Sequence, residues 1–309
     1  MRAVELIEVG GRDGLQNESH FVESPIKLVL FQKLVAAGIT RLEATSFVSP
    51  KWIPQMADAS VMLKDVQKLK ENKTHDTNLQ FSVLIPNIKG WEAALSVAVP
   101  DEILIFTAAS EAFCQKNINC TITESLARFE PVLERAKQLN IHVRASISCS
   151  LGCPYEGVIE PNQVLSVAKQ LVVMGCTELS IADTIGVGTP LRVATLFKQL
   201  QDALPDVLLG GHFHDTYGQA LANIYSAYQQ GIRIFDSSVG GLGGCPYAKG
   251  ATGNVASEDV VYMMQQMGEL SHIDLLALAQ TGHWISQQIG RPYTSRAGRA
   301  LLIKHGLLI

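Results

Sequence analysis

The chain has 309 residues, of which 47% are hydrophobic and 17% are charged. It can therefore bury a full core, and its length suits one large α/β domain of roughly 250 residues plus an extension. Its 25 basic and 29 acidic residues give a formal charge of -4, which excludes the strong positive field typical of nucleic-acid or membrane-surface binding. We expect a small-molecule partner, no nucleic acid and no membrane.

The cysteine pattern and the start of the chain bear on the cellular compartment of the protein. Six cysteines are scattered along the chain and no two have CxxC spacing, so neither a disulfide framework nor a zinc motif is indicated. The sequence starts without a charged leader or a long apolar run, and no uncharged stretch reaches the ~18 residues of a membrane span. We predict a soluble, cytoplasmic protein with reduced cysteines.

Short runs rich in Val and Ile alternate with longer segments of helical period, which is typical of βα units and a parallel sheet. Eight strands are predicted, at residues 4–9, 41–45, 80–85, 102–107, 142–149, 178–182, 207–214 and 233–239. Predicted helices include residues 26–37, 122–139, 162–174, 191–203 and 220–230. Gly38, Gly175 and Gly231 follow three of these helices directly, as C-terminal stop residues do.

Eight such units without a break in composition favour a closed (β/α)8 TIM barrel over an open, doubly wound sheet. The GxGxxG fingerprint expected after the first strand of a dinucleotide-binding sheet is missing. The chain after about residue 270 continues outside the repeat with a helical pattern. We predict a TIM-barrel catalytic domain over residues 1–270 and a C-terminal helical extension over residues 271–309, packed on the barrel.

Polar and ionisable residues gather where the predicted strands end, which is where TIM barrels place their active sites. The residues at these ends are Arg12, Asp13, Glu43, Asp183, His212 and His214. This pattern predicts an active site at the C-terminal face of the barrel.

His212 and His214 are two positions apart at the end of a strand, so both rings should face the barrel interior. A metal ion would satisfy their nitrogens and recruit oxygen ligands, which Asp13 and Asn254 can supply. The alternative is one core histidine and one surface histidine bonded to Asp215; the carboxylates at the other strand ends favour the metal. A ligand set of nitrogen and oxygen atoms suits a catalytic Mg²⁺ or Mn²⁺, and the ligand types do not exclude zinc.

Arg12 and Cys245 each have two interpretations. Arg12 is either half of an ordinary surface ion pair or a guanidinium that stabilises an oxyanion or enolate, and its place at a strand end favours the second. The glycine run at 240–244 lacks the spacings of phosphate-binding loops and is typical of a mobile lid that ends at Cys245. On the residues alone, Cys245 is a packing residue, as most free cysteines are.

Seven long motifs extend in order over most of the strand ends. They are VGGRDGLQNE (9–18), TSFVSPKWIPQ (45–55), KNINC (116–120), SCSLGCPYEG (148–157), DTIGVGTP (183–190), HFHDTYGQALAN (212–223) and VGGLGGCPYAKGATGN (239–254). This set resembles the 3-hydroxy-3-methylglutaryl-CoA lyase family, whose opening motif is EVGxRDGLQNE. Three segments depart from the family: Gly11 replaces its usual proline, Ala182 stands before Asp183 where a glycine is common, and the tail at 290–293 lacks its basic stretch near the CoA site.

The resemblance implies a divalent-metal-dependent TIM-barrel lyase that cleaves an acyl-CoA substrate, 3-hydroxy-3-methylglutaryl-CoA, to acetyl-CoA and acetoacetate. A homodimer is possible from the family. Arg12 matches its substrate-binding, charge-stabilising arginine, Glu43 the acidic residue of the superfamily's Asp-Arg-Glu set, and Cys245 its active-site cysteine. The matching metal ligands are Asp13, His212, His214 and Asn254.

The implied chemistry is a retro-Claisen cleavage. His212 or a metal-bound water is the candidate base, and Asp183 or Glu43 is expected to orient or relay the proton. One rival is a Claisen-type acyl-CoA synthase or 2-oxo-acid aldolase, which Cys245 in its GGLGGCPY loop disfavours. The other is a barrel that binds a metal or acyl-CoA without turnover, which the complete set of site residues disfavours.

Overall fold

The computed structural model describes residues 2–18, 20–71, 78–244 and 253–308. Eight parallel strands close into a barrel in chain order. They are β1 (Glu5–Glu8), β2 (Arg41–Ser46), β3 (Gln80–Leu84), β4 (Glu102–Ala108), β5 (His142–Ser148), β6 (Glu178–Asp183), β7 (Leu208–Phe213) and β8 (Ile234–Ser237). Because β8 pairs with β1 in parallel, with Phe235 opposite Leu6, the predicted TIM barrel is confirmed.

Helices follow the strands and cover the barrel. They are α1 (Ser24–Ala36), α2 (Ala59–Glu71), α3 (Ile88–Leu95), α4 (Glu111–Ile118), α5 (Ile122–Gln138), α6 (Pro161–Val173), α7 (Pro190–Ala203), α8 (Ala220–Gln229), α9 (Ser257–Gln266), α10 (Leu275–Gln288) and α11 (Arg296–Lys304). A capping box between Thr121 and Glu124 starts α5. Gly38 and Gly175 have φ of +95° and +107°, so these predicted stop residues do occupy the conformation that ends a helix.

The strand ends lie within two residues of the predicted ones, and backbone conformation explains two of the differences. Strand β5 ends at Ser148 rather than at Cys149, because Cys149 has a φ of +57° and cannot continue an extended chain. Strand β8 ends at Ser237, since a short 3₁₀ turn over Val239–Gly241 follows, with a φ of +65° at Gly240.

The apolar core lies between the barrel and its helices. Leu30, Phe31 and Leu34 of α1 are fully buried and belong to one continuous cluster with Leu42 and Ala44 of β2. Burying a side chain of this size stabilises the fold by roughly 1.5–3 kcal/mol. This layer leaves the inside of the barrel free for polar side chains.

The alternation along β5 separates these two environments. Val143, Ala145 and Ile147 join the outer apolar cluster, whereas Arg144 and Ser146 line the interior cavity. Residues two apart on a strand share a face, so the strand presents its polar face to the lumen. The interior of the barrel therefore holds charged groups, and it is a suitable place for chemistry.

The C-terminal segment is helical, as predicted, and α10 packs against α1, α9, α11 and the Val239–Gly241 turn. A hydrogen bond from the Asp274 N–H to the Ala37 carbonyl, 2.8 Å long, fixes the start of α10 beside the end of α1. The division of the chain at residue 270 remains a prediction. Among the helices in the described ranges, none combines the length and apolarity needed to cross a membrane.

Candidate metal centre and active site

Asp13, His212 and His214 form a cluster in which potential ligand atoms lie within 4.8 Å of one another. Asp13 belongs to a π-helical turn, Gly10–Gly14, directly after β1. His212 lies on β7 and His214 just beyond its end, and their ring centroids are 5.2 Å apart. The two rings share a face because they are two positions apart on an extended chain. The barrel thus brings together three of the predicted ligands from the ends of β1 and β7, which are far apart in the sequence.

Asn254, the fourth predicted ligand, lies in the same cluster. Its Nδ2 donates to Oδ2 of Asp13 at 2.8 Å and to the Leu242 carbonyl at 3.3 Å. An isolated β-bridge joins Asn254 to His214, which fixes the returning chain beside β7. All four predicted ligands are therefore neighbours, and their role as ligands remains a prediction.

The charges and unmet hydrogen bonds of the cluster fit a divalent cation. Nδ1 of His214 is buried without a hydrogen-bond partner among the described residues, a situation that is costly unless another group satisfies it. Burial and the nearby His212 lower the pKa of His214 to about 4, so its ring is neutral, the form that binds metals. Although burial opposes ionisation, Arg12 and His212 lower the pKa of Asp13 to about 2.

Glu43 holds the guanidinium of Arg12 beside this cluster. Nε of Arg12 donates to Oε2 of Glu43 at 2.7 Å, and NH1 donates to Oδ1 of Asp13 at 2.8 Å. Burial opposes the charge of Arg12, but the two carboxylates raise its pKa, so the guanidinium stays protonated. NH2 also lies 2.5 Å from Oε2 of Glu43, so all three nitrogens face a carboxylate and the side chain is fixed in direction at the cavity wall.

Asp183, predicted to take part in proton transfer, has backbone partners. Its Oδ1 accepts a hydrogen bond from the Val187 N–H at 3.0 Å and its Oδ2 accepts one from the Gly188 N–H at 2.8 Å. Burial raises its pKa to about 6. The neighbouring Thr184 lines the cavity. The contacts of Asp183 support the turn after β6, and its role in proton transfer remains a prediction.

A cavity of about 820 Å³ opens at the C-terminal ends of the strands. Arg12, Asp13, Glu43, His212 and His214 all line it. Part of its wall is apolar, from Leu84, Leu104, Phe106, Phe113 and Phe129. Cavities of this size hold drug-sized ligands, so the space is sufficient for a substrate much larger than the groups that react.

Glu8 is a buried residue that the sequence reasoning missed. Its Oε1 accepts hydrogen bonds from the N–H groups of Gly10 at 2.8 Å and Val239 at 2.9 Å, and its Oε2 accepts one from the Ser257 hydroxyl. Burial raises the pKa of Glu8 to about 7. One carboxyl group thus ties together the three segments that carry Asp13, the glycine run and Asn254. The available signal was a second acidic residue, after Glu5, in a short strand that is otherwise apolar.

Glu258, also missed, holds the start of the glycine run. It accepts hydrogen bonds from the Gly240 N–H at 3.0 Å and from the Tyr293 hydroxyl at 2.9 Å, and burial raises its pKa to about 8. Thr294 donates to the Gly240 carbonyl at 2.8 Å. A Cβ on Gly282 would lie 1.9 Å from Oε1 of Glu258, so that position has no room for a side chain. The tail that departs from the family pattern therefore packs against the glycine run.

Cys245 and Gly11 are two further residues that the sequence analysis singled out. Cys245 lies outside the described residues, so its role as an active-site cysteine stays a prediction. Gly11, which replaces the family's usual proline, packs directly on Phe31: a Cβ there would lie 2.3 Å from the Phe31 ring. The aromatic ring fills the space that a larger residue would occupy in the turn.

A second group of possible ligands, Glu102, His142 and Glu178, lies at the opposite end of the barrel, where β4, β5 and β6 begin. This group already has a cation, because NH2 of Arg41 is 3.0 Å from both carboxylate oxygens of Glu178 and also pairs with Glu102. Charge at this face of a TIM barrel usually serves stability. The group is therefore a structural ion-pair cluster.

A closed parallel barrel with carboxylate, imidazole and amide groups at the C-terminal ends of its strands, next to a fixed arginine, defines a TIM-barrel protein with a candidate divalent-metal site. The HMGL-like family model matches residues 3–285. The chain therefore belongs to the HMGL-like family.

The chain is also similar over nearly its full length to named members of this group. It is 50% identical over 303 residues, 98% of each chain, to the 3-hydroxy-3-isohexenylglutaryl-CoA/hydroxy-methylglutaryl-CoA lyase of Pseudomonas aeruginosa. It is 48% identical over 299 residues to the mitochondrial hydroxymethylglutaryl-CoA lyase of Homo sapiens, with 97% of this chain and 90% of the human one covered.

Solved structures give the same result for the fold. A hydroxymethylglutaryl-CoA lyase from Pseudomonas aeruginosa superposes with a TM-score of 0.91 at 50% identity, covering 98% of both chains. An HMG-CoA lyase from Acinetobacter baumannii in complex with coenzyme A and 3-methylmalate superposes with a TM-score of 0.87 at 33% identity, covering 98% of this chain and 95% of the other.

Proposed function

We propose that this protein cleaves 3-hydroxy-3-methylglutaryl-CoA to acetyl-CoA and acetoacetate with the help of a divalent metal. The observation that carries the proposal is the convergence of Asp13, His212 and His214 beside a fixed Arg12 in one cavity. Relatives that are about half identical over almost the whole chain bear the name of this activity. One similar enzyme was solved with coenzyme A, which supports an acyl-CoA substrate here.

Asp13, His212, His214 and Asn254 would hold the metal. Their carboxylate, imidazole and amide groups suit Mg²⁺ or Mn²⁺, because a mixed oxygen and nitrogen set leaves positions open for substrate. When bound, the cation supplies Lewis-acid polarisation of the substrate's hydroxyl and a neighbouring oxygen.

His212 would give its Nε2 to the metal, because its Nδ1 contacts Asp236 at 3.1 Å and Nε2 faces the cavity. A nitrogen bound to a cation has no lone pair left for a proton, so we assign the proton of the substrate's tertiary hydroxyl to a water molecule in the cavity, the other base candidate from the sequence. The electron pair of the alkoxide then forms the ketone of acetoacetate as the bond between C2 and C3 breaks. The electron pair of the broken C2–C3 bond leaves on the acetyl-CoA fragment, which becomes an enolate.

Arg12 would stabilise this enolate. Its guanidinium is held in one direction by Glu43 and Asp13, so its charge is in place before the reaction and needs no reorganisation when the enolate forms. A proton delivered to the enolate carbon completes acetyl-CoA, and we assign this delivery to Cys245 on the basis of the family resemblance. Glu43 acts through Arg12.

The test is a product assay with metal control. The purified protein is incubated with 3-hydroxy-3-methylglutaryl-CoA and Mg²⁺, and acetoacetate and acetyl-CoA are quantified. Equal amounts of both products, lost with EDTA and restored by added Mg²⁺ or Mn²⁺, are expected. Binding of the thioester without products would favour a non-catalytic barrel, and condensation of acetyl-CoA with a 2-oxo acid would favour a synthase.

A longer substituent at C3 is a second candidate for the substrate. One relative's name includes the 3-isohexenylglutaryl thioester, and the cavity wall here has an apolar part formed by Leu84, Leu104 and Phe106 among others. Parallel assays with 3-alkyl homologues of increasing length measure this directly. A kcat/KM that stays within about tenfold of the methyl substrate supports the wider range, since each missing or extra methylene contributes roughly 1–3 kcal/mol at most.

A further inference from the structure

Asp236 lies behind the candidate metal centre, on β8, and is almost fully buried. Its Oδ2 is 3.1 Å from Nδ1 of His212. The other ring nitrogen of His212, Nε2, points towards Asp13 and lies 4.0 Å from its Oδ2. A carboxylate only accepts hydrogen bonds, so Nδ1 carries a proton, and in the neutral ring Nε2 is then the nitrogen whose lone pair faces the centre.

Arg144 holds Asp236 in this position. Its NH2 donates to Oδ1 of Asp236 at 2.6 Å, and its Nε lies 2.7 Å from Glu178 on the other side. Ser180 donates to Oδ2 of Asp236 at 3.0 Å. The acceptor that faces His212 is therefore a carboxylate that is ion-paired with Arg144 and immobilised by hydrogen bonds.

We infer that Asp236 is a positioning residue, which fixes the tautomer and direction of His212 so that Nε2 is available to a metal ion, with Arg144 anchoring it. The inference rests on the metal site proposed above. A carboxylate behind a metal-binding histidine raises the ring's basicity and sets its orientation, and loss of such a partner typically weakens metal affinity 10- to 100-fold.

The competing explanation is that Asp236 serves only as one of several buried partners of Arg144, as Glu178 does. The two carboxylates make similar contacts with the guanidinium, at 2.6 Å and 2.7 Å. They differ in one respect: Asp236 touches a ring of the candidate centre, whereas Glu178 also contacts Arg41 and His142 at the far end of the barrel. This difference provides a matched control.

The first experiment compares Mn²⁺ binding by Asp236→Asn and Glu178→Gln with the unaltered protein. In Asp236→Asn the new amide oxygen accepts the hydrogen bond from Arg144, so the amide NH₂ group faces His212. Because this group is a donor, the proton of the neutral His212 ring moves to Nε2. We expect the Kd for Mn²⁺ to rise 10- to 100-fold, with the change in Glu178→Gln below threefold. Equal loss in both variants, or none in Asp236→Asn, overturns the inference; an unaltered protein that binds no Mn²⁺ overturns the metal site as well.

The second experiment leaves Asp236 unchanged and so does not depend on how Asp236→Asn folds. ¹⁵N spectra of the histidine rings in the Mg²⁺-loaded protein distinguish the two neutral tautomers, with the His212 signal identified by its loss in His212→Gln. We expect His212 to be protonated at Nδ1. A proton at Nε2 would overturn the inference even if the protein is fully active.

Discussion

The side-chain amide of Asn254 donates a 2.8 Å hydrogen bond to the carboxylate of Asp13, although the two residues are 241 positions apart. Asp13 follows β1 and Asn254 follows the glycine run after β8, and these two strands are paired to close the barrel. The candidate centre is therefore assembled at the closure of the barrel, with β7 supplying the histidines. Its geometry depends on the complete fold.

His214→Ala should abolish or greatly weaken metal binding without unfolding the protein. The ring lies just beyond the end of β7 and its Nδ1 has no protein partner among the described residues, so its removal breaks no hydrogen bond at that atom. We expect Mn²⁺ affinity and metal-dependent turnover to fall together, while thermal unfolding shifts little. Elemental analysis and calorimetry measure this, and His305→Ala, an exposed histidine after α11, is the control. Undiminished metal in His214→Ala would contradict the ligand assignment.

The strands and the clustering of Asp13, His212 and His214 could be predicted from the sequence because both follow local rules. Val- and Ile-rich runs with period two define the strands, and parallel strands bring their C-terminal ends together. Glu8, Asp236 and Glu258 could not be assigned in this way. Glu8, for example, accepts a hydrogen bond from the N–H of Val239, which is 231 positions away. The residues next to Glu8 in the sequence do not indicate which distant N–H will donate to it.

Arg12→Gln and Arg12→Lys should lower kcat far more than they raise KM. The guanidinium bonds Glu43 and Asp13 through two different nitrogens, a fork that an ammonium group does not reproduce. Its charge is needed mainly once the enolate forms, so loss of this donor should lower the rate by about 10²- to 10³-fold. Steady-state kinetics at saturating metal measure the changes in kcat and KM separately. An effect confined to KM would reassign Arg12 to substrate anchoring.

Cys245→Ser should retain metal binding and the fold but lose most turnover, because a hydroxyl is a much weaker acid than a thiol at neutral pH. In the unaltered protein, a thiol reagent should label Cys245 in step with loss of activity, and substrate with metal should protect it. The other five cysteines are all buried and serve as internal controls. Labelling mapped by mass spectrometry that leaves activity intact would return Cys245 to a packing role.

Glu258→Gln should flatten the pH dependence of stability between about pH 5 and 8. Burial raises the pKa of Glu258 from 4.5 to about 8, so in this range the folded protein keeps a proton that the unfolded chain releases. The stability from this group is full below pH 4.5 and is lost as the pH rises through 8, at a slope of about 1.4 kcal/mol per pH unit.

Glutamine resembles the protonated acid and does not titrate, so in Glu258→Gln this part of the slope should disappear. A similar slope from Glu8, whose pKa burial raises to about 7, should remain up to about pH 7. Urea unfolding at several pH values between 5 and 8 gives the free energy of unfolding for each protein. Glu134→Gln, at an exposed position on α5, should keep the full slope of the unaltered protein. Equal slopes in all three proteins would mean that Glu258 is ionised in the folded state and that its contact with the Gly240 N–H is a charged hydrogen bond.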